Sequence, residues 1–214
     1  GFFVPKHRDE IIRGLLITTK VSLIGLSIAY IIGFITALLM SQAKWIERSL
    51  YPWAVFTQTV PILALVPIIG FWFGFDILAR IIVVVIISIF PIIINTLTGL
   101  RGASSSLHDL LTLHNATRWT RATKLMIPYS LPDMFTGLRT SAGLAIIGSI
   151  VGDFFFGRGS PGLGMLLKAY GQRLRTEELL SATLVSCLLG ITVFWGFSYI
   201  GRKLVGHWSE SWSS

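Results

Sequence analysis

Composition, the length of the apolar stretches and the spacing of small residues together point to a bundle of membrane-spanning α-helices. Of 214 residues, 53% are hydrophobic and only 13% are charged, a balance too apolar for a domain whose whole surface faces water. The apolar residues gather into five long stretches, each meeting or approaching the roughly 20 residues a helix needs to cross a bilayer. The first stretch repeats small residues at every fourth position, the spacing that lets two membrane helices approach closely. The formal charge of +8 is scattered between the apolar blocks and forms no continuous basic patch, so it argues for loops and headgroups and against a nucleic-acid surface.

The spans are expected at about residues 15–40, 54–75, 78–97, 134–151 and 179–200 of a single transmembrane domain covering 1–214. The chain opens on Gly1 rather than Met, which leaves room for a sixth span upstream. In the first span, Gly25, Ala29, Gly33 and Ala37 line one helical face, which should pack against protein. The second and third spans are separated only by Gly74, Phe75, Asp76 and their neighbours, so they form a tight hairpin. Residues 153–178 open with Gly157, Gly159, Pro161, Gly162 and Gly164 and continue with Leu166, Leu167, Tyr170 and Leu174, a turn followed by an interfacial helix. Lys and Arg fall eight to each side, with Arg80 and Arg158 on the side away from residues 101–132, so orientation must come from elsewhere. Trp45, Trp53 and Trp208 are expected as interfacial anchors. Cys187, the single cysteine, is expected as a small core residue, and the four histidines show no ligand spacing, so no metal site is expected.

Between the third and fourth spans, residues 101–132 turn polar and basic, long enough for two short helices in water. Ser106 reads as the N-cap of the first, with Asp109 placing an acid in its first turn. Asn115 follows the last apolar residues and, as the commonest non-glycine residue in the left-handed conformation, should end that helix. A second helix should run from about Thr117 and Arg118 to Met126, with Pro128 and Pro132 punctuating the approach to the fourth span.

Here the sequence resembles the permease subunits of ABC importers, whose loop carries Glu-Ala-Ala, three residues, Gly, nine residues and Ile-x-Leu-Pro. Asp109, Leu110 and Leu111 occupy the Glu-Ala-Ala positions, Asn115 the glycine, Leu125 the isoleucine, and Ile127 and Pro128 the Leu-Pro. Leu131 and Pro132 repeat that pair, and Arg118 and Trp119 match the Arg-Trp common after the glycine. Pro61, Ala64, Pro67, Trp72, Phe73 and Gly74, then Phe90, Pro91, Ile92, Asn95 and Thr96, look like the nitrate, sulfonate, taurine and thiamine-precursor group of that family.

The resemblance implies a type I importer fold and a cytoplasmic coupling helix built from Asp109, Leu110, Leu111, Asn115, Arg118, Leu125, Ile127 and Pro128. It also implies two separate ATPase subunits carrying ATP and Mg, a second permease subunit that is identical or homologous, an external substrate-binding protein, and a bacterial inner membrane. No cofactor is expected in this chain itself. Relative to the family pattern, Asp109 is one methylene shorter than glutamate, the two leucines are bulkier than alanines, and Asn115 keeps the turn at some cost relative to glycine.

Polar side chains inside a span point to function by default. Gln58 and Thr59 before Pro61, with Asn95 and Thr96 in the next span, either line a polar passage or hydrogen-bond neighbouring helices as packing glue. Arg139, about two turns into the fourth span, either meets an anionic substrate or snorkels to the surface. Asp153 and Arg158 at the outer end of that span either contact a delivering protein or anchor at the interface. An ion-driven carrier or channel is the competing class, and it would show internal repeats or paired broken helices around ionisable midplane residues, which the sequence does not display. No clustered nucleophile, base or metal set suggests an enzyme.

Overall fold

The computed structural model describes residues 5–156 and 159–206, the side chains of Pro5 and Lys6 excepted. The described residues form α1 (Pro5–Gln42), α2 (Lys44–Thr59), α3 (Ile62–Phe73), α4 (Ile77–Arg101), α5 (Ser105–Leu113), α6 (Arg118–Arg121), a π-helical turn (Ala122–Met126), α7 (Ile127–Phe155), α8 (Leu163–Gln172) and α9 (Thr176–Val205). Among the described residues, four continuous helical stretches are long and apolar enough to cross a membrane: His7–Gln42, Ile77–Arg101, Arg118–Phe155 and Thr176–Val205. Trp208 and Arg158 lie outside the described residues.

The second expected span departs from a single helix. It divides into α2 and α3, which meet at an angle of 101°. Val60 takes φ −69° and ψ 130°, the extended conformation favoured before proline, and Pro61 has no N–H to continue the α2 ladder. The span expected over 54–75 is thus broken at Pro61. The bend also supplies one broken helix pair that the sequence did not display, with no ionisable residue at the break.

α4 and α7 run antiparallel at the centre of the bundle, with α1 packed beside them. In lipid no hydrophobic force draws helices together, so close approach depends on small residues. A Cβ on Gly25 would strike the Val84 side chain, and one on Gly33 would come within 2.8 Å of Ile92, so the small-residue face of α1 lies against α4. Ala29 and Ala37 on the same face are fully buried. Gly137 and Gly148 bring α7 against the backbone of α4, where a Cβ would sit 2.8 Å from the Pro91 carbonyl and 3.1 Å from the Val84 Cα. Ser141 Oγ donates to the Ser88 carbonyl at 2.6 Å across the same seam.

α5 hangs at one end of the bundle, between the last turn of α4 and the start of α6. At that end Arg101 donates to Glu47 Oε2 at 2.7 Å and to the Met40 carbonyl at 3.2 Å, joining α4 to α1 and α2. α8 caps the opposite end, with Leu163, Leu166 and Tyr170 buried against Ile11 of α1 and Ala182 of α9. Tyr170 Oη donates to Glu10 Oε2 at 3.2 Å, and burial, reinforced by that carboxylate, pushes the phenol up to about 12. α9 lies on the outside of the bundle with Leu184, Leu188, Ile191 and Trp195 exposed. Cys187, expected in the core, is exposed on this same helix.

Candidate functional site

α5 begins one residue pair earlier than expected: Ser104, not Ser106, is the N-cap, and Asp109 falls beyond the first turn. The serine run Ser104 to Ser106 offers three equivalent residues for that position and the helix starts after the first, whose hydroxyl lies 3.0 Å from that of Ser106 and caps no backbone N–H. The other end follows the expectation. Asn115 takes φ 50°, its N–H donates to the Thr112 carbonyl at 2.9 Å, and Ala116 N–H reaches back to Leu111 at 2.9 Å. These two bonds make a Schellman motif, which satisfies carbonyls that the helix end leaves open.

No residue of α5 is buried. Leu107, Leu110 and Leu113 recur every third position and are exposed, Leu113 to 80%, as is Trp119 at the start of α6. Such a stripe on an isolated helix outside the bundle is an unpartnered apolar surface. The hairpin behind it is stiffened locally. Thr117 caps α6 by accepting from Thr120 N–H at 3.2 Å, and Arg121 Nη2 donates to Thr112 Oγ1 at 2.8 Å, tying α6 to α5. Sequence reasoning missed Thr112 and Arg121 because their nine-residue separation becomes a contact only when the chain reverses at Asn115.

The expected break at Pro128 and Pro132 is absent: α6, the π turn and α7 form one continuous rod, Arg118–Phe155. The missing N–H of Pro128 would leave a gap in an α ladder, and the chain widens by a π turn in which Ile127 N–H donates to the Ala122 carbonyl. Leu125 and Ile127 are half-buried, Pro128 and Arg118 exposed. Met126 and Ile127 pack against the buried cluster that Ile93, Leu97 and Leu100 of α4 form with Ala37, Met40 and Ala54, so the rod is seated on the core at the α5 end of the bundle.

Among the expected pathway residues, Gln58 and Thr59 are exposed at the C-terminal end of α2, just before the bend. Asn95 is half-buried at the α4–α7 crossing, where its Nδ2 donates to the Pro91 carbonyl of its own helix at 2.8 Å. Arg139 stacks its guanidinium over the Phe194 ring of α9 at 5.1 Å. Arg139 and Asn95 thus engage groups of the bundle itself.

At the α8 end, Asp153 is not the surface group that contact with a delivering protein requires. It is 2% exposed and forms an ion pair with Arg80, itself 3% exposed, at 2.6 Å. Arg80, expected among the headgroup-facing cations, turns inward instead, and its guanidinium also donates to the carbonyls of Phe156 and Ser160, each at 3.1 Å. Asp153 accepts from the backbone N–H of Gly162 at 3.3 Å and of Met165 at 2.8 Å. Thr18 of α1 joins them, its Oγ1 accepting from Leu163 N–H at 2.9 Å. Sequence offered one signal for this pairing: two opposite charges at the same end of adjacent apolar spans.

A bundle of long apolar helices, with a short exposed helix hung between two of its central spans, is the architecture of a multi-pass membrane protein. Residues 29–206 match the family of binding-protein-dependent transport system inner membrane components, and the chain belongs to that family. It is a permease component of ABC importers, a multi-pass membrane protein and not an enzyme by itself, and such components work with an ATPase and a substrate-binding protein.

The chain is 33% identical over 177 residues, 83% of its length and 70% of the relative's, to the formylaminopyrimidine transport permease protein ThiX of Halalkalibacterium halodurans. It is 31% identical, over 80% of its length and 63% of the relative's, to the riboflavin transport system permease protein RibX of Chloroflexus aurantiacus. Its fold is similar to that of a chain of the MetNI methionine ABC transporter in an inward facing conformation, with a TM-score of 0.82 and 14% identity over 94% of this chain and 99% of that one.

Proposed function

We propose that this chain carries a small polar or anionic solute across a bacterial inner membrane, with α5 as the coupling helix that takes thrust from an ATPase. Two ATPase subunits, each with ATP and Mg, work beneath a pair of permease subunits, this chain and an identical or homologous second. An external binding protein delivers the solute at the α8 end. One observation carries the reading: α5 presents Leu107, Leu110 and Leu113 to its surroundings while its base is fixed by Arg121, Thr112 and the Asn115 turn. An apolar stripe on a rigid stalk suits a groove on a partner. Asp109 stands exposed on the same helix, and Leu111 is half-buried.

The solute class rests on relatives named for formylaminopyrimidine, riboflavin, aliphatic sulfonate and bicarbonate transport. Gln58, Thr59, Asn95 and Arg139 remain the proposed lining of its route, and Leu125, Ile127 and Pro128 the link from α5 to α7. Copurification tests the coupling role. Changing Asp109, Leu110 and Leu111 together to Ser is expected to release the ATPase from the purified complex and to abolish ATP-dependent uptake into vesicles supplied with binding protein. Retention of the ATPase together with wild-type uptake would remove α5 from the mechanism.

A further inference from the structure

Arg80 and Asp153 are the only fully buried charged side chains among the described residues. In a membrane bundle a buried ion pair is an expensive means of packing, since apolar side chains of similar size hold helices together at lower desolvation cost. What the pair has that apolar residues lack is reach into backbone. Arg80 binds two carbonyls of the connection between α7 and α8, and Asp153 binds one amide of that connection, Gly162, and one of the first turn of α8, Met165. Gly162 is threaded through the cluster so closely that a Cβ there would lie 2.7 Å from Asp153 Oδ2 and 2.8 Å from Thr18 Oγ1.

The two helices carrying this pair are the two between which α5 is hung. Their α5 ends are held together at Gly99, where a Cβ would fall 2.9 Å from the Ser130 Cα, and their α8 ends at Gly152, 3.3 Å from the Arg80 Cα. Resting on the reading of α5 as the coupling helix, we propose that Arg80 and Asp153 are positioning residues that lock α4, α7 and the start of α8 into one rigid unit. A displacement of α5 then reaches the far mouth of the transporter undiminished. Without the lock, α4 and α7 splay at their α8 ends and the push dissipates, because transmission across a bundle needs elements that move as bodies.

The complex of this chain with its ATPase, reconstituted in vesicles with binding protein, tests this through the ratio of solute taken up to ATP hydrolysed. The double substitution Arg80→Met with Asp153→Leu leaves no lone buried charge. It is expected to assemble with the ATPase and to lower the ratio by about tenfold or more, the scale of a typical coupling between distant sites. A merely structural pair would lower assembly and every activity in parallel and leave the ratio unchanged, which overturns the proposal. If the double variant does not assemble, Arg80→Lys and Asp153→Glu decide, since each keeps its charge and displaces the backbone bonds. A fall in the ratio for both supports the lock, and an unchanged ratio for either overturns it. Failure of the α5 reading looks different: an ATPase that stays bound and active with Leu110→Asp, whatever happens at Arg80.

Discussion

Asn115 shows how one residue's conformation sets the geometry of the coupling hairpin. At φ 50° it reverses the chain between α5 and α6, a conformation that glycine adopts without a Cβ penalty and a β-branched residue strongly resists. Asn115→Gly is therefore expected to hold or raise thermal stability in detergent, by up to about 1 kcal/mol, with the ATPase still bound. Asn115→Val should lower it by about 1–2 kcal/mol and weaken ATPase retention. Equal retention by the two variants would show that the turn does not position α5. Leu174 occupies the same place at the end of α8, with φ 53°, Arg175 N–H reaching the Tyr170 carbonyl at 3.0 Å and 88% of its surface exposed. The motif is thus built twice without glycine, and at Leu174 nothing in the residue type announces it.

Among the elements, α1 owes its place to the absence of side-chain volume. The Gly25 position meets Val84 with no space for a Cβ, so Gly25→Leu must push α1 away from α4. Overpacking of this kind costs about 1–3 kcal/mol, and a lowered melting temperature is the expected outcome. Leu23, two residues away, is exposed, and Leu23→Phe should leave the melting temperature unchanged. If Gly25→Leu melts like wild type, the helix contact is not the tight one described. The α2–α3 bend belongs to the same scale, because Pro61 alone ends one ladder and Val60 turns the chain extended before the next begins.

For the whole molecule, the proposed mechanism assigns all nucleotide chemistry to the ATPase partners. Chelating Mg from vesicles loaded with ATP is expected to bring uptake to background while binding protein still docks. Uptake that persists after chelation, driven by an ion gradient instead, would favour a carrier. That competing class gains one feature from the structure, the broken pair α2–α3, but no ionisable group sits at the break to bind a coupling ion.

Hydrophobic length and small-residue spacing are local properties, so they suffice to show a helical membrane protein, an α1 that buries the face of Gly25 to Ala37, and a turn at Asn115. The resemblance around Asp109 to Pro128 located the hairpin for a similar reason, since its residues are contiguous. Proline placement was less legible. Pro61 ends a helix, whereas Pro52, Pro67, Pro91 and Pro132 sit inside continuous helices and Pro128 follows a π turn at Ala122–Met126 that accommodates its missing N–H. That Arg80 and Asp153 are partners rather than surface charges emerges from the packing alone. They lie 73 positions apart in the chain, and nothing but the antiparallel packing of α4 on α7 brings their ends together.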